Sequence, residues 1–113
     1  MARITLTDGS GRWFSDDAAV KFGENSRWNG SNHISVNTGS QWNHEALYYT
    51  KSGNWVLNRW SQWQGSTEDY ETIGEDAAIR WLCHNECWGD EGMDLLPNSV
   101  RERVTAGIAA REL

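Results

Sequence analysis

The residues best suited to chemistry in this sequence are two cysteines and three histidines. Cys83, His84 and Cys87 lie close together along the chain, and Cys and His are the usual ligands of structural zinc. The spacing differs from that of zinc knuckles, however, and His33 and His44 are distant in sequence. Since cysteines four residues apart on a helix are poorly placed for a disulfide, we interpret both as reduced thiols and predict no metal site.

Adjacent carboxylates are the second candidate for chemistry, at Glu68–Asp69 and Asp90–Glu91. General acid–base catalysis needs a carboxyl group whose pKa is raised by burial, whereas both pairs lie in polar segments. A nucleophilic cysteine would need a histidine beside it in space, and nothing in the sequence indicates such a pair. The chain contains no phosphate-binding glycine loop, nucleophile elbow or His-Glu-x-x-His pattern. We therefore predict that the protein is not an enzyme and uses no cofactor.

Negative charge is concentrated in the middle of the chain. The 113 residues include 16 acidic and 10 basic side chains, for a net charge of −6. Residues 64–96 alone hold nine of the acids, opposed only by Arg80. Because proteins bind polynucleotides mainly through cations that release counterions, this balance argues against nucleic acid as a direct partner. It favours instead a basic surface on another protein.

Eight tryptophans are the most unusual feature of the composition. A core of this size has little room for eight indoles that each need a hydrogen-bond partner, so several are expected at the surface, where Trp is common in binding hot spots. Strand alternation places Trp55 and Trp63 on one face and Trp60 on the other. Trp81 and Trp88, on or just after a predicted helix, are expected to serve the core.

A β-hairpin is the clearest local signal. Residues 46–50 and 54–60 are β-prone runs that flank Gly53, a residue suited to positive φ in a turn. The predicted register pairs Thr50 with Asn54, Tyr49 with Trp55, Tyr48 with Val56 and Leu47 with Leu57. A two-residue loop would shift this register by one. Residues 3–7 and 33–36 are predicted to form two further strands.

Two helices are predicted from their capping patterns. Ser15 followed by acids favours a short helix over residues 16–23. After an acidic loop, Thr72 and Glu75 have the form of a capping box, which would open a helix over residues 74–86. The side chains expected to face the core are Ala77, Ala78, Trp81, Leu82 and Cys83, with Trp88 beyond the helix.

A loop at residues 89–92 and a last helix complete the predicted elements. The last helix opens at Pro97 and carries a narrow apolar stripe of Val100, Val104 and Ile108. Together the elements predict an α+β fold, in which a small antiparallel sheet of three to four strands packs with two to three helices.

We expect this fold to form a single domain over residues 1–113. No apolar run reaches the roughly 20 residues that a membrane-spanning helix needs, and the first residues lack the apolar core of a signal peptide. The sequence therefore predicts a cytoplasmic protein without a membrane partner.

Four short stretches in the centre of the chain form a distinctive pattern: EALYYTKSGNWVL, WSQWQG, ETI and AAIRWL, within residues 45–82. This pattern, spread over about a third of the chain, resembles small bacterial and mobile-element proteins of unassigned function, and it carries no catalytic residues. In size, acidity and lack of catalytic motifs, the chain also resembles in type the phage-borne inhibitors of bacterial defence, such as anti-CRISPR proteins.

We therefore expect a non-enzymatic protein-protein interaction module, an inhibitor from a phage or mobile element. It would dock its acidic segment on the basic, nucleic-acid-binding surface of a host protein complex. The residues expected to bind this partner are Trp60, Trp63, Glu68, Asp69, Glu71, Glu75 and Asp76. One alternative is a small module in which Trp55, Trp60 or Trp63 stacks on a glycan or nucleotide. Another is a small metal-dependent or thiol enzyme.

Overall fold

A four-stranded antiparallel sheet forms the centre of the computed structural model, which describes residues 3–28, 30, 33–35, 43–61 and 68–113. The strands are β1 (Arg3–Thr5), β2 (Trp13–Ser15), β3 (Val20–Gly23), β4 (Ser26–Trp28), β5 (His33–Ser35), β6 (Asn43–Tyr49), β7 (Trp55–Ser61) and β8 (Asp69–Ile73). The helices are α1 (Glu75–His84), α2 (Glu91–Leu95) and α3 (Asn98–Ala109). The central sheet has the order β3-β6-β7-β8, while β1 pairs with β2 and β4 with β5 in two separate ribbons. This architecture confirms the predicted α+β class.

Both faces of the central sheet are covered. On one face, the helices bury their apolar sides against β3, β6 and β7, in a core that includes Phe22, Leu47, Leu57 and Leu82. On the other face, the β1–β2 ribbon brings Leu6 and Phe14 against Ala46, Tyr48 and Val56. Among the described residues, no helix is long and apolar enough to cross a bilayer.

The β6–β7 hairpin has the register that its turn predicts. Tyr49 lies opposite Trp55 and Leu47 opposite Leu57. Gly53 adopts a φ of +91°, and its N–H donates to the carbonyl oxygen of Thr50 over 3.0 Å. Because side chains alternate between faces, this register puts Leu47 in the core under the helices and Tyr48 in the core under the ribbon.

The helix predicted over residues 16–23 is wrong. Only Asp16–Ala18 form a single 3₁₀ turn, and the chain continues as β3. Val20 and Phe22 alternate with polar neighbours, so pairing β3 with β6 buries Phe22 completely between the sheet and α2. This burial outweighs the local preference of Ser15 and the acids for a helix start.

The segment before α1 also differs from its prediction. The acidic loop is the edge strand β8, in which Thr72 pairs with Val56, so Thr72 cannot cap a helix. The N-cap is Gly74, which has no side-chain cap hydrogen bond. The helix itself is confirmed, although Ile79 rather than Ala77 is fully buried against the core.

For the C-terminal part of the chain, the prediction of the last helix is confirmed and the prediction of a loop before it is wrong. α3 buries Val100 and Val104, with Ile108 packed beside them. Residues 89–92, predicted as a loop, instead include the start of α2, which docks Gly92 and Met93 against the core.

Candidate functional site

The residues predicted to form one partner-binding surface lie on opposite faces of the central sheet. Asp69 and Glu71 alternate with Tyr70 along β8, and the register places Glu71 opposite Leu57, on the face that the helices cover. Trp60 and Tyr70 pack on the opposite face. The predicted neighbours Trp60 and Glu71 therefore lie on different sides of the sheet, and Trp63 lies outside the described residues.

Arg59 holds the carboxylates on the helix side. Its Nε donates to Glu45 over 3.2 Å and its Nη1 donates to Glu71, while Asp69 lies directly opposite it in the register. Burial alone would lower the pKa of Arg59, but hydrogen bonding and charge from Glu71 and then Glu45 raise it overall. Glu45 also accepts a hydrogen bond from the indole of Trp81 over 3.0 Å. At this end of the sheet, the single positive charge of Arg59 is therefore shared between two carboxylates.

The two acids at the start of α1 are paired as well. Glu75 accepts from Arg103 over 3.1 Å, and Asp76 accepts from Arg111 over 2.8 Å and lies 3.7 Å from Arg80. The hydrogen bond from Arg111, followed by its charge, lowers the pKa of Asp76. Both carboxylates are at the surface, where such pairs add little stability, but each already has a cation beside it.

Glu68 and Trp60 complete the predicted set. Glu68 accepts a hydrogen bond of 2.8 Å from the hydroxyl of Tyr70, and burial followed by this contact raises the pKa of Tyr70. Trp60 is half-buried, with its ring centroid 5.6 Å from that of His44. Neither side chain forms a large exposed platform.

The exposed indoles are not the ones that the sequence indicated. Trp55 and Trp81 are buried, whereas Trp13 and Trp88 expose 53% and 55% of their surfaces. Trp55 therefore cannot act as the predicted stacking platform, and the prediction that Trp88 serves the core is wrong. Trp88 follows a sharp turn after α1, and this turn points it away from the core that Trp81 joins.

The turn before Trp88 is built by hydrogen bonds from a distant loop. Glu86 adopts the left-handed conformation, with a φ of 54°, which is uncommon for a residue other than glycine. Asn25 donates its N–H to the side chain of Asn85 over 2.8 Å and its amide to Glu86 over 3.1 Å. Asn85 in turn donates to the carbonyl oxygen of Trp81. These contacts hold the strained residue and fix the direction in which Trp88 leaves the helix.

An acidic and apolar surface follows from this turn. We call residues 86–95 the Trp88 segment. Besides Trp88 it exposes Leu95 to 69%, and the carboxylates of Glu91 and Asp94 form no ion pair with any described residue. Beside Trp88 lies a groove of about 530 Å³ between the C-terminal ends of α1 and α3, lined also by Cys83, Ile108, Ala109, Arg111 and Glu112.

No family model, curated protein or solved structure matches this chain.

A partly buried Glu–His pair is the most enzyme-like arrangement among the described residues, and no sequence motif indicated it. Glu24 lies 3.2 Å from Nδ1 of His44 and accepts the N–H of Glu45 over 2.7 Å. A carboxylate orients the imidazole in many catalytic pairs. Here Nε2 of His44, which would act as the base, is buried without a hydrogen-bond partner among the described residues. The pair therefore fits a structural link between the end of β3 and β6 better than a catalytic one.

The cysteines are free thiols, and in the described ranges no group of three His, Cys, Asp or Glu residues is arranged to hold a metal. Burial, followed by the charge of Asp90, raises the pKa of Cys87 to about 12. A thiol with a pKa this high is almost entirely protonated at neutral pH. Cys83 is partly exposed at the groove.

We expect a thiol-reactive disulfide reagent at pH 8 to label only Cys83 in the folded protein. Cys87 should react far more slowly, because its sulfur is buried and its pKa is raised, and it should react at full rate once urea unfolds the chain. The Cys83→Ser variant, which keeps Cys87 as its one thiol, measures this rate directly. Rapid labelling of both thiols in the folded protein would contradict this environment for Cys87.

Proposed function

We propose that this protein is a non-enzymatic interaction module that docks its Trp88 segment on a basic surface of another protein. The observation that carries the proposal is the exposure of Trp88 and Leu95 on one segment that also carries the exposed carboxylates of Glu91 and Asp94. Trp is among the residues most enriched in binding hot spots.

The partner that fits this surface presents an apolar side chain flanked by lysines and arginines. Glu91 and Asp94 form no ion pair with any residue that the structure describes, so pairing them across an interface breaks none of the ion pairs seen there. By contrast, using Glu71 or Glu75 would require displacing Arg59 or Arg103. Complementary charge also speeds encounter and selects the partner.

A nucleic-acid-binding surface is the basic partner surface that we propose. An acidic module with an apolar anchor would occupy such a surface and exclude its polyanionic ligand. An inhibitor from a phage or mobile element would act in this way on a host protein complex, and we propose that role for this protein. The fixed turn at Glu86 supports it, because a preorganised anchor loses less conformational freedom on binding.

The proposal is tested by affinity capture with matched variants. The wild-type protein, the Trp88→Ala/Leu95→Ser variant and a Trp13→Ala control are immobilised at equal density and exposed to a bacterial extract. We expect the wild type and the control to retain the same basic protein, and the double variant to retain at least about 30-fold less, as for loss of a hot spot.

Elution distinguishes the surface of the partner. A single-stranded oligonucleotide should release the captured protein, because the two anions compete for one basic surface. Equal capture by the double variant would show that the Trp88 segment is not the contact. Retention of the protein in excess oligonucleotide would overturn the proposed partner surface.

A further inference from the structure

Trp13 stands between two clefts on a part of the molecule that shares no lining residue with the Trp88 groove. One cleft has a volume of about 390 Å³ and the other about 550 Å³, within the range of sites for small ligands. Both are bordered by Trp13, Phe14, Thr50 and Ser52. An exposed indole beside cavities of this size offers a flat stacking surface.

The lining of these clefts combines apolar side chains with cationic and polar ones, in an otherwise acidic protein. The smaller cleft contains Arg12 with the side chains of Asn54 and Thr72, and the larger contains Lys51. Neither is lined by Asp or Glu. The chain has a net charge of −6, so this local excess of cations suits an anionic ligand.

Arg12 is held in place and keeps donors for a ligand. Its Nε donates to Ser10, and its Nη2 lies 3.3 Å from Asp8 and contacts the hydroxyl of Thr72. Asp8 offsets part of the charge, and its pKa is lowered first by hydrogen bonds from Ser10 and then by Arg12. Nη1 of Arg12 makes no hydrogen bond to the described residues, so it remains available to an anion.

The side chain of Asn54, on the opposite wall of the smaller cleft, and the indole of Trp13 are also held in place. In the β6–β7 turn, Asn54 donates its N–H to the hydroxyl of Thr50 over 3.0 Å and its amide to Ser52 over 3.0 Å. The amide oxygen of Asn54 is thereby left to accept from a ligand hydroxyl. The guanidinium of Arg3 lies 4.6 Å from the ring centroid of Trp13, which covers one face of the indole and fixes its orientation.

We propose that the smaller cleft binds a nucleoside monophosphate. Its base stacks on the indole of Trp13, its phosphate accepts from Arg12, and its ribose hydroxyls meet Asn54. A planar base, an anion and a polyol in one ligand match these three kinds of group. Phosphate at the end of a single strand offers the same chemistry, but the net charge of the protein disfavours a polyanion.

Titration of ¹⁵N-labelled protein with AMP tests this site, with the indole signal of Trp13 assigned by a Trp13→Phe variant. We expect a saturable shift of this signal with AMP, and weaker binding of adenosine, ribose 5-phosphate, inorganic phosphate and a 5′-phosphorylated oligonucleotide. Trp13→Ala should abolish binding. Arg12→Gln should weaken AMP at least about fivefold and leave adenosine unchanged, because it removes the charge-assisted bonds.

Trp88→Ala is the matched control and should bind AMP like the wild type, while unshifted amide spectra report that each variant is folded. Absence of a saturable shift at millimolar AMP would overturn the site. Tighter binding of a neutral oligosaccharide than of AMP would overturn the ligand class. Tighter binding of the oligonucleotide than of AMP would show that the site binds the end of a nucleic-acid strand rather than a free nucleotide.

Discussion

Replacing Phe22 with alanine lowers the free energy of unfolding by about 3–5 kcal/mol. Phe22 is 1% exposed and lies on β3, an edge strand of the central sheet. Its ring packs against Trp55, with centroids 6.3 Å apart, and against α2 at Gly92. The truncation leaves a cavity at the point where sheet and helix meet, and a domain of this size has only about 5–15 kcal/mol in total.

Urea denaturation followed by circular dichroism measures this loss. Trp13→Ala is a matched control, because it also removes a large aromatic side chain but from an exposed position, and it should change the free energy of unfolding by less than about 1 kcal/mol. A loss of less than 1 kcal/mol for Phe22→Ala would contradict the burial of β3, and with it the correction of the predicted helix.

Adding a single methyl group at Gly92 should destabilise the fold by about 1–3 kcal/mol. A Cβ at this position would lie 2.7 Å from Cε1 of Phe22 and 3.1 Å from two further ring atoms. The ring is enclosed and cannot rotate away, so either α2 or β3 must shift. This cost exceeds the gain in helix propensity from Gly to Ala, which is about 1 kcal/mol.

Gly107→Ala is the matched control for this prediction. Its Cβ would also approach to 2.7 Å, but the atom that it meets is the terminal Cδ1 of Ile79, which moves by a change of rotamer. We expect that variant to be near neutral by urea denaturation. In the Phe22→Ala background, Gly92→Ala should lose its cost, and a cost that persists there would show that Phe22 is not the clashing group.

The hairpin was predictable because its signals are local. The position of Gly53 sets the turn, the turn sets the register, and alternation then assigns Leu47 and Tyr48 to opposite faces. The last helix was predictable for the same reason, since its apolar stripe has a helical period. In both elements the local preference and the tertiary packing agree.

The errors lie where tertiary contacts override a local pattern. Ser15 and Thr72 both precede acids in helix-start patterns, but the chain around each pairs as a strand because that buries Phe22 and extends the sheet beside Val56. Neither partner strand is near in sequence. A pattern that covers only a few residues contains no information about pairing with a distant strand.

The candidate site shows the same limit for charge. Residues 64–96 contain one cation, Arg80, which lies one helical turn from Asp76, so Glu71 and Glu75 have no cation near them along the chain. In three dimensions further cations come from other elements: Arg59 on the neighbouring strand pairs with Glu71, Arg103 on α3 pairs with Glu75, and Arg111 after α3 pairs with Asp76. The net charge of a stretch of sequence therefore overstates the amount of unpaired negative charge on the folded surface.

The tryptophans were predicted correctly as a group and only in part as individuals, because Trp81 is in the core as expected and Trp88 is not. Some were expected at the surface, and Trp13 and Trp88 are there. Which ones are exposed depends on the turn at Glu86 and on the β1–β2 ribbon. The turn gives no periodic signal in the sequence, because it is held by Asn25 from a distant loop, and of the two strands in the ribbon only β1 was predicted.

The central claim is that the unpaired carboxylates of the Trp88 segment, and not the paired ones near α1, bind a basic partner. Two variants test it, and each removes two negative charges: Glu91→Gln/Asp94→Asn and Glu75→Gln/Asp76→Asn. The measurement is the Kd for the captured basic protein at low and physiological salt. We predict that the first variant weakens binding at least about tenfold and loses most of its salt dependence, whereas the second stays within about threefold of the wild type. Equal weakening by both variants, or a larger effect of the second, would contradict the account.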